Sequence, residues 1–296
     1  MFKKILMISI VCSSMEVVAF KWHYVEPNQV KRGHLALPTS QEIGPLYAFG
    51  QNIVNKSDKQ LFAYINGLYG KNFSFTELRP SFLYGITDYC SLFVELPIAV
   101  NYTIADRKFA GVENITFQFE GAVIDTNTVY DSYQLTLVTN VAFPISTLDG
   151  GRPIASNASA GSGQVSFLVG ATACYMSADW YLFTCQGGIF SATRRATKSG
   201  NTYLYQFGAS RSWGNYPGWI FAGMVELFGQ YSARDTTNGI IDANSGGNSI
   251  FLGPSIWASS QRFIGQIGVA FAVTQKLFGN QSKVTWYPAI DLGWKF

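Results

Sequence analysis

From Val284 to Phe296 apolar and polar side chains alternate almost without a break, up to the last residue. One set is Val284, Trp286, Pro288, Ile290, Leu292, Trp294 and Phe296; the other is Thr285, Tyr287, Ala289, Asp291, Gly293 and Lys295. A period of two belongs to a strand, which turns successive side chains to opposite faces. So oily a stripe at a terminus suits a soluble antiparallel sheet poorly, because there the outward face is the polar one. It suits a transmembrane β-barrel, in which the apolar stripe meets lipid and the polar one faces the lumen. Earlier segments must then repeat the pattern until the sheet closes on itself.

They do, from about Lys59 onward, and the expected architecture is all-β: an antiparallel up-and-down transmembrane barrel of about twelve strands, with ten to fourteen open. Clear stripes are Leu92-Val94-Leu96-Ile98-Val100, Tyr133-Leu135-Leu137-Val141-Phe143, Tyr181-Phe183-Cys185, Trp219-Phe221-Val225-Leu227 and Phe263-Ile267-Val269-Phe271-Val273. Short connections alternate with long ones, as periplasmic turns alternate with external loops. The short set includes Gly85 to Asp88, Met176 to Asp179, Asn215 to Gly218 and Ala258 to Gln261; the long set includes 103–111, 144–163, 193–200, 233–248 and 276–283. The turn at 124–129 is long for its side. Tyr84, Tyr89, Trp180, Trp213, Trp219 and Trp257 sit beside short turns, where an interfacial girdle of amphipathic rings is expected.

Lys3 and Lys4, the apolar run Ile5 to Cys12 and the small residues before Ala19 have the layout of a secretory signal peptide over 1–19. Residues 20–58, with three prolines and both histidines, lack a period and read as a periplasmic lead or a plug, leaving 59–296 for the barrel. Only 13% of the chain is charged and 16% is aromatic, against about a quarter charged in ordinary soluble chains. The net charge of +3 gives nucleic-acid binding no support.

His23 and His34 both precede the first strand, so the wall has no histidine for Ser-His-Asp catalysis and the chain is not read as an enzyme. Neither a cofactor nor a metal site is expected: Cys90, Cys174 and Cys185 have no CxxC spacing, and Cys174 and Cys185 point to opposite faces in the registers above. Glu77, Arg79, Glu95, Glu120, Glu226 and Asp291 have inward registers and read as lumen-lining. About twelve strands enclose a narrow bore, and inward Phe93, Met224 and Tyr287 narrow it further. The external loops carry an excess of Lys and Arg, suited to lipopolysaccharide phosphates.

At Leu83-Tyr84-Gly85-Ile86-Thr87-Asp88, followed by Leu92, Val94 and Leu96-Pro97, the sequence resembles a family of bacterial outer-membrane barrels labelled MetA-pathway of phenol degradation, which are outer-membrane transporter-like. The closing strand with Trp294 and Phe296 likewise resembles the signal by which the barrel-insertion machinery recognises outer-membrane proteins. The resemblance implies a Gram-negative outer-membrane location and passive uptake of small, hydrophobic or aromatic molecules. It assigns no role to any residue. The expected protein is a porin-like monomer forming a narrow passive conduit; the alternative is a non-conducting barrel whose external loops serve adhesion or envelope structure.

Overall fold

The computed structural model describes residues 42–71, 73–104, 107–128, 131–145, 164–193, 196–216 and 219–296. The signal peptide, the first part of the 20–58 segment with both histidines, and most of the 144–163 loop lie outside the described residues.

Among the described residues every regular element is a strand. The wall comprises β1 (Lys59–Gly70), β2 (Phe73–Thr87), β3 (Cys90–Glu95), β4 (Ile98–Ile104), β5 (Arg107–Val112), β6 (Ile115–Asn127), β7 (Asp131–Phe143), β8 (Ser166–Ser177) and β9 (Trp180–Ser191). A short β10 (Thr197–Lys198) intervenes before β11 (Thr202–Tyr216) and β12 (Trp219–Ser232). Then come β13 (Thr236–Thr237), β14 (Ile240–Ile241), β15 (Gly247–Ser260), β16 (Phe263–Leu277) and β17 (Val284–Lys295). Two wall strands are broken in the middle. Pro97, with no N–H to give to a ladder, separates β3 from β4, both of which pair with β2. Beside it the Glu113 N–H donates to the Pro97 carbonyl at 2.8 Å, where β5 passes into β6. Counting each broken pair as one gives twelve antiparallel strands, and β1 pairs with both β2 and β17, so the barrel is closed.

Closure pairs the long strands on both sides, while β5 pairs with β4 alone among the described residues, and the apolar stripes face outward: Leu137, Val169, Val225, Ile256, Ile267 and Phe271 are each half exposed or more. A wall with this surface is stable in lipid and not in water. No described helix is long and apolar enough to cross a membrane.

Three registers differ from the sequence reading. Tyr181, Phe183 and Cys185 face inward and are buried, while Trp180, Leu182 and Phe190 face out. Both stripes of β9 are apolar enough for either face; the choice falls to what fills the lumen, and the inward trio joins a buried cluster with Ile43 and Phe49. Cys174 and Cys185 therefore share the inner face, on neighbouring strands where Thr172 is opposite Cys185. Trp257 is 4% exposed and packs inside against Met224 and Ile264, so it belongs to no interfacial girdle. Its strand sends Leu252, Pro254 and Ile256 outward and Phe251, Ser255 and Trp257 inward. Val284, at the start of β17, is also buried; a register shift at Tyr69/Gly70 ends the regular pairing there.

Connections differ as well. The expected 103–111 loop is mostly a hairpin of β4 and β5, with Ile104 opposite Arg107. β6 runs on to Asn127 across a bulge at Ala122/Ile124, which leaves the connection to β7 short, as on that side it should be. At the loop end, β10, β13 and β14 form a separate three-stranded sheet. Asn238 and Gly239, both with positive φ, make its two-residue hairpin turn. Gly200 N–H donates to Asp235 Oδ1, and Arg234 lies over the Phe278 ring, so three external loops are tied together.

Candidate functional site

Residues 42–58, which contain no regular element, lie inside the barrel. Ile43, Leu46, Tyr47, Phe49, Ile53 and Val54 are all buried, against inward side chains of the wall. The stretch begins near the short-turn end, where Glu42 lies beside Asp125, climbs to mid-strand at Tyr47, and returns to the turn end at Lys56.

An irregular chain inside a barrel must have its peptide groups satisfied by the wall. Glu226 accepts the N–H groups of Leu46 and Tyr47, at 2.8 and 3.1 Å, one on each oxygen. Gln206 accepts the Phe49 N–H at 3.0 Å. Glu120 accepts both the backbone N–H and the side-chain amide of Asn52, at 2.9 and 2.7 Å, and is itself steadied by Gln118. Ser91 Oγ takes the Val54 N–H, and Asp88 takes that of Lys56. Lys295 Nζ meets Asp58 at 2.7 Å, fastening the end of the stretch to the last strand.

Glycines of the wall provide the sockets. Gly170 and Gly187 are direct cross-strand partners, and a Cβ on either would come within 2.8 or 2.9 Å of the Phe49 ring. Tyr47 lies on Gly253 in the same way and stacks on Phe228 at 4.9 Å. Within the stretch, Gly50 (φ 82°) lies so close to Thr172 that a Cβ would approach its methyl to 2.5 Å.

The fill is incomplete. Between the stretch and the side of the wall formed by β17 and β1 to β8 remains a cavity of about 110 Å³, bounded by Phe62, Tyr64, Arg79, Phe93, Glu95 and Asp291 opposite residues 45–52. Arg79 is 4% exposed, lies 4.3 Å over the Tyr64 ring, and approaches Glu77 at 3.4 Å and Glu95 at 3.6 Å. Tyr64 is opposite Asp291 on one side and Arg79 on the other, which sets the three in one row across β17, β1 and β2.

Of the inward residues singled out from sequence, Glu77, Arg79, Glu95 and Asp291 thus gather near the cavity, whereas Glu120 and Glu226 hold the inserted stretch. Phe93 edges against Phe62 at 6.0 Å, and Met224 and Tyr287 are buried. The other rings named at short turns are outside or partly so: Trp180 and Trp213 are exposed, Tyr84, Tyr89 and Trp219 intermediate. Trp219, Phe263 and Trp294 follow one another over the outer surface at 6.1 and 6.5 Å. Gln206 and Ser91 were not singled out by sequence. A polar residue among inward positions was the available signal, but it does not say which backbone group will arrive opposite.

No family model matches the chain, and no curated protein matches it in sequence. Among solved structures it is similar to the COG4313 outer membrane channel from Pseudomonas putida F1, with a TM-score of 0.64 and 12% identity over 86% of this chain and all of that one. It is also similar to the NanC porin, at TM-score 0.47 and 10% identity over 80% of this chain and all of that one. The CymD monoaromatic hydrocarbon channel gives 0.42 and 9%, over 81% and 89%. Only the first of these three scores above 0.5, and at 12% identity what it shows is the barrel fold.

Proposed function

We propose that the protein is an outer-membrane barrel that admits small molecules passively through a lumen closed by residues 42–58. The observation that carries this reading is the manner of closure: wall side chains hold the stretch by individual hydrogen bonds, and a cavity lies beside it. The fold shared with an outer membrane channel supports the same reading. A cavity of about 110 Å³ is smaller than the roughly 150 Å³ that admits benzene, so the solute is small or the stretch moves aside. Phe62, Phe93 and Leu168 offer an aromatic or hydrophobic solute some wall, beside charged groups. The protein is exported, acts as a monomer, and meets lipopolysaccharide through loop cations such as Lys71, Lys198 and Lys276.

Single-channel recording of the full chain in a planar bilayer tests this, beside Leu46→Pro, which deletes an N–H held by Glu226 and alters no charge. The expected result is rare openings in the parent and frequent ones in the variant. Silence from both, with folding verified by circular dichroism, would overturn the conduit and favour the second reading, in which the three-stranded external sheet, with Ile240 and Ile241 exposed at its tip, binds a partner.

A further inference from the structure

Between its two rims the inward carboxylates of the wall include Glu77, Glu95, Glu120, Glu226 and Asp291, with Glu113 buried as well, and Arg79 is the buried guanidinium among the described residues. Glu120 and Glu226 are occupied with the inserted stretch. Glu77, Glu95 and Asp291 surround Arg79 at the cavity, and two of them ionised already leave that wall negative. Arg79 cannot cancel them, being shared between Glu77 and Glu95 at distances longer than a good charged hydrogen bond.

The cavity also bears marks of an occupant. Asp291 Oδ1 is buried without a hydrogen-bond partner among the described residues and its residue lines the cavity, an acceptor that an ammonium N–H can meet; Arg79 Nη2, unpartnered there as well, is a donor that calls for water. Buried polar atoms in that state are normally met by water or a ligand. The rings of Tyr64, Phe62 and Phe93 also line it; aromatic rings attract cations, as the Tyr64 ring already does with Arg79 at 4.3 Å. We propose that this cavity is a subsite for small organic cations of the primary-ammonium type, with the ammonium held by Asp291 and Glu95, and that the conduit favours cations over anions. Rings of Asp and Glu select cations in pores by the same physics. The substrate class deepens the conduit reading and rests on it for transport, but not for binding.

Two measurements separate the parts. Saturation-transfer NMR on the full chain folded in micelles, with methylammonium chloride and sodium acetate as probes, reads the subsite without any current. Methylammonium should receive saturation and acetate should not. Asp291→Asn and Glu95→Gln, tested singly, should each weaken the methylammonium effect about fivefold, the upper end for a partly solvated charge contact. Either variant alone suffices if the other fails to fold. The reversal potential of the full chain under a potassium chloride gradient reads selectivity. Methylammonium binding in a silent barrel would remove the conduit and leave the subsite. Equal saturation of acetate, no effect of either substitution, or current without cation preference would overturn the proposal while leaving a conduit standing.

Discussion

Glu226 receives two successive peptide N–H groups, Leu46 and Tyr47, and is 0% exposed. Glu226→Ala would strand both donors, a loss of about 1 to 3 kcal/mol for each left unsatisfied. We expect limited proteolysis to cut within 42–58 in that variant and to spare the strands; parental resistance would argue against this latch. Glu42, outside the spanning strands, has its carboxyl pushed up from 4.5 to about 8 by burial and then by the Asp125 charge. Because the docked state holds the proton more tightly, its stability is full below about 4.5 and falls as pH rises toward 8. Docking should therefore loosen between pH 5 and 8, and Glu42→Gln should remove that share of the change, read as protease access against pH. The inward direction of Glu226 was legible from period two alone, yet its partners were not, since a side chain's register carries no information about a segment 180 residues away.

At the scale of elements, β8 and β9 show what periodicity can and cannot determine. β8 alternates Phe167 and Val169 outside with Ser166 and Thr172 inside, and one reading survives. β9 offers Tyr181, Phe183 and Cys185 on one face and Trp180, Leu182 and Phe190 on the other, so hydrophobicity alone cannot choose. The apolar inserted stretch decides. Register with β8 then brings Gly187 opposite Gly170 and opens the socket for Phe49. Gly187→Leu should fill that socket, cost about 1 to 3 kcal/mol of overpacking or expel Phe49, and raise channel open time in single-channel records. An unchanged closed barrel after that substitution would mean that Phe49 is not what seats the stretch. Trp257 departs from the expected girdle for a related reason: proximity to a turn does not imply proximity to headgroups, because the parity of β15 sends it inward.

The molecule as a whole is closed by its two ends. β1 lies between β2 and β17, and Phe296 N–H reaches the Lys59 carbonyl. Deleting Phe296 should reduce the fraction of chain assembled in the membrane, seen as loss of the heat-modifiable folded band; normal assembly would count against a role for the last residue. Most of this architecture needed no coordinates. Strand identity, inward and outward faces over most of the wall, the near-even succession of turns and loops, and a strand number between ten and fourteen follow from local alternation, because lipid outside and a lumen inside impose opposite chemistry on adjacent residues. What tertiary structure alone decided is the content of the lumen. Residues 42–58 have no period because they form no strand, and their place is set by wall carboxylates, amides and glycines scattered from Asp88 to Tyr287. Such non-local pairing is invisible in any one segment, since each donor and each socket is specified only when the sheet has closed around it.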